Sequence, residues 1–116
     1  MMAKYLVLIY EDEASWTGAG PEDFDRTYKE HTAFGENNAA ALLGGDALHP
    51  TSTATSIRKD SSGDFLVTDG PFVETKEVIC DYYLIEAADL DEAIAVGKQV
   101  PAPYGGVEVR PVQIFE

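Results

Sequence analysis

The residues of this chain that could do chemistry are two histidines, one cysteine and a few carboxylates set among apolar positions. His31 comes first. It lies in a run where Phe24, Tyr28, His31, Gly35, Asn38 and Leu42 recur at the spacing of one helical face. On a face that must pack against other elements, an imidazole needs a hydrogen-bond partner. A carboxylate beside it would fix its tautomer and raise its basicity, giving a general base usable near neutral pH. A core histidine satisfied by a carbonyl or a carboxylate is the plainer reading of the same residue.

Asp81 interrupts the apolar strand face formed by Ile79, Tyr83 and Ile85. Buried there, its pKa rises unless it is paired; a bulge that turns it outward is the other arrangement. If buried, it is a candidate to bind substrate. Cys80 reads as a small buried hydrophobe, because no basic neighbour lowers its thiol pKa. Glu108 and Arg110 stand two apart on one strand and share a face, within reach of Lys76 and Glu77 just before the preceding strand. A cross-strand ion-pair network accounts for them, and an Arg110 clamp on an anionic substrate is the functional alternative. Asp69 opens a turn, Asp69-Gly70-Pro71, in which its side chain can accept backbone N–H bonds while Phe72 anchors the loop in a core. Lining a pocket mouth is its second possible role. No metal is expected, since His31 and His49 are too far apart for a helical ligand pair and Glu11-Asp12-Glu13 is not a calcium loop. No cofactor is expected either, because neither Gly44-Gly45 nor Gly105-Gly106 has the form of a phosphate loop.

The elements that must position these residues fit one domain, 1–116, with 45% apolar and 25% charged residues. Eight basic residues against 21 acidic ones leave a net charge of −13. Such a surface repels phosphate backbones and anionic lipid, so no nucleic-acid or membrane partner is expected. One cysteine forms no internal disulfide, and the apolar run from Tyr5 to Tyr10 is too short for a signal or a span, so the expected location is cytoplasmic.

Lys4 to Tyr10 reads as a strand that is apolar on both alternating faces, followed by a loop from Glu11 to Gly20. Pro21 opens a helix that Gly44-Gly45 ends. A short strand follows at Asp46 to Leu48. Thr53–Lys59 and Asp64–Thr68 form a hairpin, and Val78–Glu86 is a second strand apolar on both faces. Asp89 caps a second helix striped by Leu90, Ala93, Ile94 and Gly97, with Glu92 placed for a capping box. The last strand runs from Val107 to Phe115, with a bulge or edge near Arg110-Pro111. This order is a ferredoxin-like βαββαβ fold of the α+β class with an inserted β-hairpin. Two helices cover only one face of the sheet, so a second copy packed on the other face, a homodimer, is expected.

Asp69-Gly70-Pro71-Phe72, followed by Glu74 and Lys76-Glu77, resembles the signature of the DGPF proteins of the YCII-related superfamily. Tyr82-Tyr83-Leu84-Ile85, Asp89-Leu90-Asp91-Glu92-Ala93 and Val107-Glu108-Val109-Arg110-Pro111 extend the resemblance over nearly the whole chain. It implies a dimeric α/β barrel. It also implies a histidine on the first helix paired with an acid just after the first strand, a layout with which one relative removes chloride from a chlorinated hydroxyquinone. By position His31 matches the histidine and Asp12 the acid, with Glu11 and Glu13 as alternatives. Cys80 and Asp81 replace the small residues usual before the tyrosine pair.

The expectation is a cofactor-independent small-molecule enzyme of the isomerase, lyase or dehalogenase type. His31 and Asp12 would be catalytic, and Arg110, Asp69 and Asp81 would contact substrate. The alternative is a non-catalytic ligand-binding or regulatory dimer, which the family's frequent proximity to sigma-factor genes suggests.

Overall fold

A computed structural model of the protein describes residues 2–115; the two terminal positions of the expected 1–116 domain lie outside them. The order is β1 (Ala3–Asp12), α1 (Glu13–Thr17), α2 (Pro21–Asn37), β2 (Leu42–Ala47), β3 (Thr55–Lys59), β4 (Phe65–Asp69), β5 (Glu77–Ala87), α3 (Leu90–Gly97) and β6 (Gly105–Pro111), with a 3₁₀ turn at Thr51–Thr53. Four strands form an antiparallel sheet in the order β2-β5-β1-β6, and β3 pairs with β4 in a separate two-stranded sheet. With the hairpin set aside, that is the strand order of a ferredoxin-like α+β fold. Among the described residues no sheet closes into a barrel.

Alternation along β1 decides the core. Tyr5, Val7 and Ile9 are buried beneath the helices with Ile85 and Ala87 of β5, Phe34 of α2, and Ala93 and Val96 of α3. Burying a side chain such as Ile9 or Ile85 contributes about 1.5–3 kcal/mol. Leu6, Leu8 and Tyr10 point to the other side and remain half-buried. No helix is long and apolar enough to cross a membrane among the described residues.

Several boundaries differ from the sequence reading. β1 continues through Glu11 and Asp12, which pair with Val78 and Glu77, and the expected loop contains the short α1. α2 stops at Asn37 and β2 starts at Leu42, because Gly44-Gly45 serves the sheet instead of ending a helix. Gly45 lies so close to β5 that an added Cβ would stand 2.5 Å from the Tyr82 carbonyl oxygen. The sheet-facing side of α2 is also rotated from the expected stripe: Thr27 and Phe34 are buried, while Phe24 and Tyr28 are exposed. In α3 Ala93, Val96 and Gly97 face inward, whereas Leu90 and Ile94 are largely exposed. Its expected cap is present: Asp89 accepts the Glu92 N–H at 2.9 Å, and Glu92 accepts the Ala88 N–H at 3.2 Å. β6 begins earlier and ends at Pro111, and the bulge lies in β5 instead, at Cys80.

Phe72 does not enter a core. It is 58% exposed, with the Arg58 guanidinium 4.3 Å from its ring centre. Ile57, Phe65, Leu66 and Val67 of the hairpin are likewise exposed. The chain measures 48 × 47 × 18 Å, with a radius of gyration of 16.4 Å, against roughly 13 Å for a compact chain of this length. It is a flat molecule with apolar surface on the open face of the sheet and on the hairpin.

Candidate active site

The β5 bulge builds the site. Ile9 pairs with Asp81 and Tyr10 with Ile79, so Cys80 is the extra residue. A bulge of this kind brings two consecutive side chains toward one side of the sheet. Cys80 and Asp81 therefore both face the helices, where alternation in β1 has also placed Glu11. Together they floor a cleft of about 340 Å³ between α1, α2 and the sheet, within the ~300–1,000 Å³ range of small-molecule sites. Trp16, Phe24 and Tyr28 wall it, and His31, Leu48 and His49 border it.

His31 is half-buried, and its Nδ1 lies 2.7 Å from the Tyr83 hydroxyl. Tyr83 is held in turn by ring contact with the buried Phe34, at 4.8 Å between centres. Burial pushes the His31 pKa below its usual 6.5, against a smaller upward pull from Glu11 and Glu30. The ring is therefore neutral at pH 7, with one nitrogen fixed by a phenol, and such an imidazole can take up a proton and return it. Burial likewise raises the Tyr83 phenol, with a further push from Asp81.

Glu11 is only 2% exposed, yet its carboxylate is satisfied: the Tyr104 N–H donates to it at 3.0 Å and the Cys80 thiol at 3.3 Å. Burial, then the Glu11 contact, pushes the Cys80 thiol far up, so Cys80 is no nucleophile. Burial raises Asp81 from 3.8 to about 6; its hydrogen bond with Cys80 opposes this and the Glu11 charge adds to it. One ligand atom from each of Glu11, Cys80 and Asp81 lies within 4.8 Å of the others, a grouping a divalent cation could use. Sequence spacing gave no hint of it, because the three meet only across the β1–β5 pairing.

The expected His31–Asp12 pair is not formed. Asp12 caps α1, accepting from the Ala14 N–H at 3.1 Å and the Ser15 hydroxyl at 3.2 Å. Glu13 lines the cleft, but its carboxylate is engaged by the N–H and hydroxyl of Thr51. Arg110 is on the far side of the sheet, opposite Leu6, and its Nε donates to Glu108 at 2.6 Å. That pair lies within one strand and is exposed, of small energetic value; among the described residues it is not the expected cross-strand network, since Lys76 and Glu77 take no part in it. Asp69 ends β4 on the hairpin surface, remote from the cleft lining. Its turn is held instead by the Gly70 N–H to the Ala54 carbonyl at 2.7 Å and the Ser56 hydroxyl to the Gly70 carbonyl at 2.6 Å. Of the five residues singled out, the fold brings His31 and Asp81 together and places Asp12, Arg110 and Asp69 elsewhere. The sequence reading singles out neither Tyr83, which bonds His31, nor Trp16, which walls the cleft.

Asp81 also sets a pH dependence of stability. Its folded pKa lies above its unfolded value of 3.8, so the native state holds the proton more tightly. Stability from this group is full below about pH 4 and is lost as pH rises through about 6. Asp81→Asn should therefore raise the melting temperature at pH 7.5 and have little effect at pH 4. Thermal melts at the two pH values check this, and an equal or opposite shift would contradict it.

A family model described as YCII-related domain matches residues 3–116. An uncharacterized protein of Rhizobium meliloti (strain 1021) is 36% identical over 117 residues, covering 97% of this chain and 94% of that protein.

Proposed function

The chain belongs to the YCII-related family, and from that premise we propose that it is a cofactor-independent enzyme of proton transfer, acting on a small molecule in the cleft of His31 and Asp81. One observation carries the proposal. Titratable groups from three elements, Glu11, His31 and Asp81, converge on one aromatic-walled cleft, and two of them are displaced from their ordinary pKa values. Such convergence is characteristic of acid–base sites.

His31 is the general base, oriented by Tyr83 rather than by Asp12. Asp81 titrates near neutrality, so it can give a proton to the substrate or receive one from it. Glu11 stays fixed by the Tyr104 N–H and supports the charge that forms on His31 when it takes up the proton. Isomerisation, elimination and dehalogenation need no more than this. The Asp69-Gly70-Pro71-Phe72 run supports assigning the chain to the DGPF branch of that family. The open sheet face with Leu6 and Leu8, together with the exposed hairpin, supports a homodimer; native mass spectrometry showing only monomer would contradict it.

The test is incubation of the purified protein in D₂O with a panel of small carbonyl compounds, arylalkylamines and halogenated hydroxyaromatics, read by proton NMR and chloride release. The proposal expects carbon-bound hydrogen exchange, isomer formation or halide release with at least one compound. Saturable binding across the panel with no turnover would replace the enzyme by a binding module.

A further inference from the structure

The charge lining the cleft says more about what it takes, and the inference rests on the choice of site just made. The lining contains Glu11, Glu13 and Asp81 and, among the described residues, neither Lys nor Arg. Of the two histidines on the lining, His31 is half-buried and burial disfavours its charged form, while His49 stands at the exposed rim. The whole chain carries −13. An anionic ligand entering this cleft would lose its hydration and meet three carboxylates with no Lys or Arg beside them, a costly exchange.

The three carboxylates are not equally available. Those of Glu13 and Glu11 already accept bonds from Thr51 and from Tyr104 and Cys80. Asp81 lies at the cleft floor with only the Cys80 thiol beside it, whose single hydrogen is directed to Glu11. The walls are aromatic: Trp16 and Phe24 stack with ring centres 4.9 Å apart, and Tyr28 is 74% exposed beside them. Aromatic faces attract both aromatic rings and ammonium groups.

We infer that the substrate is an arylalkylamine, its ring against Trp16, Phe24 and Tyr28 and its ammonium donating to Asp81. The arrangement excludes the isosteric carboxylate. It also reverses the sequence expectation of an Arg110 clamp on an anion, because Arg110 is on the other side of the sheet.

Trp16 is the only tryptophan and lines the cleft, so its fluorescence reports occupancy directly. Three probes of one shape and different charge suffice: phenethylamine, 2-phenylethanol and 3-phenylpropanoate, titrated at pH 7.5 into wild type and Asp81→Asn. Phenethylamine should bind about tenfold more tightly than either other probe, and the preference should fall to within about threefold in Asp81→Asn. If Asp81→Asn fails to fold, the wild-type preference is measured instead against ionic strength, and it should shrink as salt is added. Equal or tighter binding of 3-phenylpropanoate, an amine preference unaffected by Asp81→Asn or by salt, or no saturable change with any probe would overturn the inference. Amine binding without turnover of any substrate would retain this ligand class and remove the enzyme. Turnover of an anionic substrate would do the reverse.

Discussion

His31→Ala should lower kcat/KM by about 10²- to 10⁴-fold on whichever substrate the NMR panel identifies, the usual contribution of a positioned general base. His31 is the one cleft residue that combines a neutral, half-buried imidazole with an oriented ring nitrogen. Tyr83→Phe removes the hydrogen bond and leaves the ring packing on Phe34, so it should cost less, about tenfold. Asp12→Ala supplies the contrast. It removes the α1 cap, costing about 1 kcal/mol of stability, and should leave kcat/KM within about threefold. Steady-state kinetics of the three variants check the series. An Asp12→Ala loss as deep as that of His31→Ala would restore the histidine–aspartate pair and contradict the geometry.

Gly105→Ala should be the most damaging small substitution for stability. A methyl group there would overlap the Tyr10 carbonyl oxygen and lie 2.8 Å from Glu77 Oε2. The overlap is with backbone, which no side-chain rotation relieves. Gly105 pairs with Glu11, and its neighbour Tyr104 both donates to the Glu11 carboxylate and accepts the Asp12 N–H at 3.1 Å. Forcing β6 away from β1 therefore disturbs the start of the strand and the anchor of Glu11 together. The expected loss is about 3 kcal/mol, a fall in Tm on the order of 10 °C. Gly106→Ala, where an added Cβ meets nothing within 4 Å, should be much milder. Thermal melts of both variants are the check, and equal effects would refute the steric explanation.

Much of the architecture is legible in the residues, because the apolar alternation of β1 and β5 sets a helix-covered face of Tyr5, Val7, Ile9 and Ile85. The α2–β2 boundary is not. A glycine pair that stops a helix and one that lets two strands approach closely are the same letters, and only the contact between Gly45 and Tyr82 separates them. His31 was found because a histidine on a packing helix face requires a partner. Its expected partner Asp12 fails because β1 runs two residues beyond its apolar stretch, and the ring bonds the Tyr83 hydroxyl instead. Extending the alternation Tyr5, Val7, Ile9 by one step places Glu11 on the helix side and turns Asp12 away. The joint placement of Cys80 and Asp81 depends on a bulge, and no strand period predicts one. The aromatic wall is hidden in the sequence because Phe24 and Tyr28 fall on the expected packing stripe, whereas α2 is rotated from that face.

The central claim is that this cleft is an acid–base site, and site-resolved NMR titration of His31 and Asp81 in the unliganded protein tests it most directly. Asp81 should titrate near 6 and His31 below 6.5, with the His31 signals also responding to Tyr83→Phe. An Asp81 midpoint near 3.8 together with a His31 midpoint near 6.5 would mean that water fills the cleft as an ordinary surface groove, and the acid–base account would fail.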